Sequence, residues 1–118
     1  MRKKEEAKLQ TNCFRWFDYQ YPELKMLLFA VPNGGSRNVI EAANLKAQGV
    51  RAGVSDVIFL YPTEKYPFLC IEFKSKNGKQ SPTQIEFQKQ VEQIGGKYEI
   101  VRNFEQFVEK INNWILLY

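Results

Sequence analysis

Histidine is absent from the chain. Without imidazole, Ser-His-Asp triads, His-held zinc sites and every acid–base scheme that depends on histidine are excluded together. Cysteine is nearly as scarce. Cys13 and Cys70 are the only two, each in an amphipathic or apolar context with no signal peptide ahead of it, so both are expected to be reduced core thiols of a cytoplasmic protein rather than a disulfide framework. Long hydrophobic runs are missing as well. The terminal Trp114-Ile115-Leu116-Leu117-Tyr118 is only five residues, far short of a membrane span, and no membrane partner is expected. Internal repeats, low-complexity tracts and Ser/Pro-rich linkers are absent, which leads us to expect a single domain over residues 1–118. Acids are in mild deficit, thirteen against seventeen bases, for a formal net charge of +4. That bias suits a polyanionic partner without requiring one. For hydrolytic chemistry, what remains is carboxylates, lysine and a hard cation.

What is present is enough for one core: 44% of the 118 residues are hydrophobic and 25% charged. From about Lys4 to Tyr19, the three- and four-residue steps of Leu9, Cys13, Trp16 and Phe17 predict an amphipathic helix, ended by Tyr21-Pro22. Met26-Leu27-Leu28-Phe29-Ala30-Val31, closed by Pro32-Asn33-Gly34-Gly35, reads as a buried strand and a turn. A helix follows, capped by Asn38 with Glu41 three residues on and stopped at Gly49. Val57–Tyr61 and Phe68–Lys74 are rich in branched and aromatic residues. Six residues separate them, Pro62-Thr63-Glu64-Lys65-Tyr66-Pro67, which predicts an antiparallel hairpin. Ser81-Pro82-Thr83-Gln84 opens a helix through Phe87 and Val91 to Gly95-Gly96. Tyr98–Val101 is a short strand, and Asn103 with Gln106 caps a last helix carrying Phe104, Phe107, Val108, Ile111, Trp114 and Ile115.

Folding the hairpin about its connection brings Asp56 level with Glu72 or Phe73. Strand side chains alternate, so Glu72 and Lys74 share one face with Asp56 beside them, while Ile71 and Phe73 point into the core. Three polar groups are thereby placed on sheet rather than on a loop.

The order of elements, and five motifs in sequence, resemble the restriction-endonuclease-like PD-(D/E)xK nucleases, and within them the virus-type replication-repair nuclease (VRR-NUC) domain. The motifs are Glu6 in the first helix, Pro32-Asn33-Gly34-Gly35 with Arg37, Gly49 before Gly53-Val54-Ser55-Asp56, Ile71-Glu72-Phe73-Lys74, and Ser81-Pro82-Thr83-Gln84. Ser55 stands where the superfamily name has proline. The resemblance implies an α/β fold with an αβββαβ core, a mixed central sheet flanked by helices, and a C-terminal helix. It also implies a DNA endonuclease of phage or bacterial type that acts on branched, Holliday-junction-like DNA as a homodimer, with Mg²⁺ or Mn²⁺ and no organic cofactor. Asp56 and Glu72 would supply metal ligands and the Phe73 carbonyl a third. Glu6 would complete the acidic cluster, with Glu5 its adjacent competitor, and Gln84 would lie beside Lys74.

The chemistry agrees with that implication. Mg²⁺ takes one or two carboxylates and keeps much of its own water, while Lys74 could either orient the attacking water or stabilise charge developing on the phosphate. Each residue also has a plainer reading. Asp56 could cap a strand, Glu72 and Lys74 could be a cross-strand charge set, and Glu6 lies in a charged run on a helix face. Gln84 has a sufficient job as the partner of Ser81 in a capping box. Asn33, Arg37, Arg51 and Lys76 are candidate phosphate contacts, as are Lys46 and Lys79, or else ordinary surface polar groups. The apolar last helix, through Trp114, Ile115, Leu116 and Leu117, is the candidate dimer interface.

Overall fold

A computed structural model describes residues 4–32 and 38–117. The chain begins with α1 (Lys4–Gln20), whose Cys13 and Phe17 are buried on one stripe as the spacing predicts. Strand β1 (Leu28–Ala30), helix α2 (Val39–Ala47), strands β2 (Val57–Phe59) and β3 (Leu69–Phe73), helix α3 (Pro82–Gln93), strand β4 (Lys97–Val101) and helix α4 (Phe104–Leu116) follow. The strands form one mixed sheet in the order β1-β2-β3-β4. The first two pairings are antiparallel, and β3 pairs with β4 in parallel across the α3 crossover. This is the α/β arrangement expected, with helices flanking a central sheet and α4 last.

The sheet separates two apolar clusters. On one face Val57, Phe59, Leu69, Ile71, Phe73 and Val101 pack with Cys13 and Phe17 of α1 and with Phe107, Ile111 and Trp114 of α4. On the other, Cys70 and Tyr98 meet Val91 of α3, with Ile58, Phe68, Phe87 and Ile100 packed around them. β3 is buried along its whole length because both of its faces are covered. Cys13 and Cys70 are free and buried in different clusters.

Caps place the helix starts where the sequence puts them. Asn38 accepts from the Glu41 amide at 2.8 Å and Asn103 from the Gln106 amide at 2.8 Å. Ser81 and Gln84 form a reciprocal capping box with Pro82 in the first turn. Two expectations change. Pro22–Leu27 winds as a 3-10 helix, so only Leu28–Ala30 of the first apolar run is strand. It is not a buried strand, since Leu28 alone enters the core and Met26 is 90% exposed. Among the described residues β1 is an edge strand, paired on one side only. The hairpin connection is also longer than six residues. β2 stops at Phe59 and β3 starts at Leu69, because Thr63 closes a local turn of its own, accepting from the Tyr66 amide at 2.9 Å. Asn33, Gly34, Gly35 and Arg37 lie outside the described residues.

Gly53 joins the Asp56 loop to α3. Its φ is +89°, and a Cβ there would lie 2.5 Å from the Thr83 carbonyl oxygen, a backbone atom that cannot swing aside. Gly53→Ala is expected to cost about 1–3 kcal/mol from backbone conformation alone, and more from the clash. Urea unfolding of the variant checks this; an unchanged midpoint would show that the loop does not need this close approach.

Candidate functional site

The β2–β3 register sets the site. Val57 pairs with Ile71, so one step further along the antiparallel ladder Asp56 stands opposite Glu72. β2 has not yet begun there, and the Asp56 side chain takes over the strand's role: its Oδ2 accepts from the Phe73 amide at 2.7 Å. The carboxylate is thereby fixed to β3 itself.

Glu72 is 1% exposed. Its Oε1 accepts from the Tyr98 hydroxyl of β4. Its Oε2 lies 3.3 Å from Lys74 Nζ, close enough for an ion pair, yet has no hydrogen-bond partner of good geometry among the described residues. Burial pushes the Glu72 carboxyl above its usual range. Lys74 opposes that shift, the Asp56 charge reinforces it, and the Gln80 amide opposes it again.

The turn that follows is held from two sides. Glu6, 7% exposed, reaches from α1 to accept the Ser75 amide through Oε2 at 3.0 Å. Arg102 Nη1, just past β4, donates to the Ser75 and Gly78 carbonyls at 2.8 Å each. These contacts fix the backbone immediately after Lys74.

Asp56, Glu72 and Lys74 are thus brought together. Glu6 is not part of a metal-ligating trio with them: no three His, Cys, Asp or Glu side chains among the described residues gather to hold a cation. From α1 Glu6 reaches instead the Ser75 amide, one residue beyond Lys74. Glu5, the competing acid, is exposed. Gln84 spends its side-chain oxygen on the Ser81 amide at 2.8 Å, while the Gln80 amide donates at 3.4 Å to the Tyr98 hydroxyl that serves Glu72. Arg51 and Lys76 are exposed. Arg51 Nη1 donates to the Lys46 carbonyl at 3.4 Å, while the Lys76 carbonyl accepts from Arg102 at 3.4 Å.

A buried carboxylate oxygen without a hydrogen bond, next to a second oriented carboxylate, suits a small hard cation. Two carboxylates and one backbone carbonyl leave room for the water that Mg²⁺ keeps. The thiols offer no competing chemistry. Burial, reinforced by Glu105, pushes Cys13 up to about 12, and burial raises Cys70 against the opposing hydrogen bond of Ser55, so both are disfavoured as thiolates.

Comparison with known proteins places the fold in a family. The VRR-NUC domain family model matches residues 3–105. The chain belongs to the VRR-NUC family. A solved structure described as a VRR_NUC domain protein is similar over 99% of this chain and 93% of its own, at 25% identity and a TM-score of 0.82. Comparison with curated proteins finds no match. VRR-NUC membership gives the chain a nuclease-type fold, for which DNA is the implied substrate, in a family that is generally metal-dependent.

Tyr98, Gln80 and Arg102 were not legible beforehand. Each contacts the site across the parallel β3–β4 pairing or the turn before α3, and neither relation follows from local periodicity. A polar group at an otherwise apolar strand position, Tyr98 in Lys97–Val101, was the one available sign.

The raised Glu72 carboxyl has a consequence for stability. A carboxyl whose pKa is higher folded than unfolded takes up a proton on folding, so its contribution is favourable below the ordinary carboxylate range and is lost as pH rises through the folded value. In chelator, Glu72→Gln is therefore expected to melt above the wild type at pH 8, with the gap closing toward pH 4. Thermal melts across that range test it, and a wild type that stays the more stable at pH 8 would contradict it.

Proposed function

We propose that this VRR-NUC protein is a metal-dependent DNA endonuclease for branched DNA, acting as a homodimer in phage or bacterial replication, recombination or repair. One observation carries the catalytic part: the Glu72 carboxylate is buried with Oε2 facing Lys74 and lacking a hydrogen bond among the described residues, beside an Asp56 carboxylate oriented by the Phe73 amide. Burying such a group without function is costly, because desolvation of the charge is offset only in part by the lysine. Sites that work on charged substrates keep such costs.

Asp56, Glu72 and the Phe73 carbonyl would hold a Mg²⁺ or Mn²⁺ ion. When bound, the cation neutralises charge on the phosphate and lowers the pKa of a water. Asp56 contributes a carboxylate whose plane is set by the Phe73 N–H. The Lys74 side chain would stand beside the phosphate, to orient the attacking water or to stabilise charge developing on oxygen. Its side chain is 12% exposed, so water screens that charge little. Glu6 and Arg102 act one step back, holding the turn so that Lys74 does not wander. Arg51 and Lys76, with Arg37 and Asn33 outside the described residues, are the proposed backbone contacts.

The decisive assay is cleavage of labelled duplex, single strand, splayed arm, four-way junction and RNA, with Mg²⁺, Mn²⁺ or chelator. Asp56→Ala, Glu72→Ala and Lys74→Ala are each expected to lower the rate by about 100-fold or more. The junction should be the preferred substrate. Cutting that survives chelator, or an active Lys74→Ala protein, would overturn the reading. DNA binding without cutting, unchanged in all three variants, would favour a non-catalytic DNA-binding protein, and cutting at one duplex sequence would favour a restriction-type enzyme.

For the homodimer, twofold symmetry would pair two sites for the paired incisions that a junction needs. Trp114 is committed to its own fold, since its Nε1 donates to the Tyr61 carbonyl at 2.6 Å and its ring stacks on Tyr66. Leu116 and Leu117 are what the helix leaves outward, 81% and 60% exposed. Light scattering is expected to give a dimer for the wild type and a folded monomer for Leu116→Asp with Leu117→Asp. A wild-type monomer that still cuts both strands of a junction would discard the dimer.

A further inference from the structure

Tyr98 and Gln80 lie outside every motif that the sequence offers, yet they line up on one oxygen of Glu72, the tyrosine directly and the glutamine through the tyrosine hydroxyl. β4 runs parallel to β3 with Cys70 opposite Tyr98 and Glu72 opposite Ile100, so the tyrosine rises on the same sheet face as the glutamate, one pleat earlier. Tyr98 is buried, with Phe87 packed against its ring edge to face at 6.2 Å. Its hydroxyl donates to Glu72 Oε1 and lies 3.4 Å from Gln80 Nε2, which donates to it. Gln80 is anchored in turn, its Nε2 donating also to Gln88 Oε1 at 2.9 Å on α3. Gln88 Nε2 then donates to Glu92 Oε2 at 3.3 Å. The hydrogen bonds Gln80→Tyr98→Glu72 run in one direction, so each strengthens the next.

The two Glu72 oxygens are therefore unequal. Oε1 is occupied from within the fold, while Oε2 faces Lys74 and has no hydrogen bond among the described residues. We propose that Tyr98, steered by Gln80, is a positioning residue for the cation: by occupying Oε1 it fixes the plane of the Glu72 carboxylate and presents Oε2 as the single ligand oxygen. The inference rests on the reading of Glu72 as a metal ligand. It predicts one-oxygen coordination by Glu72, which leaves a cation position for water that a carboxylate bound through both oxygens would fill. Partners that orient a ligand in this way affect metal affinity directly, apart from any effect on the fold.

The test is Mn²⁺ binding to the full chain without DNA, read from the electron paramagnetic resonance signal of free Mn²⁺, with melting in chelator measured in parallel. Wild type, Glu72→Gln, Tyr98→Phe and Gln80→Met are compared. Tyr98→Phe keeps the ring and removes only the hydroxyl. It is expected to weaken Mn²⁺ binding about tenfold, and Gln80→Met should shift it the same way by a smaller factor. Unchanged Mn²⁺ affinity in Tyr98→Phe, whether or not its melting point falls, would overturn the inference and leave the metal reading standing. Should Tyr98→Phe fail to fold, Gln80→Met decides by the same criterion. A wild type that binds no Mn²⁺, or binds it equally well as Glu72→Gln, would remove the metal reading and the inference with it.

Discussion

The antiparallel register of β2 on β3, with Val57 against Ile71, is the constraint on which the site depends. Strand side chains alternate with a period of two, so a slip of one residue would turn Ile71 and Phe73 out of the α1–α4 core and drive Glu72 into it. Burial of Val57, Phe59, Leu69, Ile71 and Phe73 on one face therefore fixes Glu72 and Lys74 on the other. The same register delivers Asp56 to the Phe73 amide. Core packing and site geometry are one requirement seen from two faces of a strand.

Around that strand the fold builds rigidity with charge and hydrogen bonds. β3 ends at Phe73, and beyond the Lys74 amide, which still bonds the Val101 carbonyl at 3.0 Å, the backbone is held at Ser75 by Glu6 on its amide and Arg102 on its carbonyl. A buried acid and a half-buried guanidinium, from opposite ends of the chain, meet on one turn. Glu72 is held differently, by Tyr98 from the neighbouring strand and Lys74 from its own. The dry surroundings that penalise its charge also strengthen its attraction to lysine and, on the reading proposed, to a cation. Stability given up at this carboxylate is offset by the two apolar clusters that the sheet separates.

Much of this was legible because the signals are local. Asn38, Ser81 and Asn103 cap helices because a short polar side chain meets its own backbone three residues on, and no distant contact is needed. The alternation of Ile71, Glu72, Phe73 and Lys74 is equally local. The run Met26–Val31 misled because apolar composition cannot distinguish an edge strand from a central one, and the 3-10 helix that opens at Pro22 takes up its first two residues, Met26 and Leu27. Glu6 was found by position in a motif but its contact was not, since the face of the sheet on which α1 packs is a tertiary fact.

The amino-acid sequence by itself determined the chemistry available, through the lack of histidine and the Asp56 and Glu72-x-Lys74 pattern, and it determined the helix boundaries and the alternation of β3, because each depends on residues a few positions apart. Only the tertiary structure decided that Tyr98 binds Glu72 across a parallel pairing, and that Gln80 backs the tyrosine hydroxyl. Only it placed Glu6 and Arg102 on the turn after Lys74. Those choices follow from how strands and helices stack. Such contacts join residues tens of positions apart, and no periodicity along the chain encodes which of them will meet.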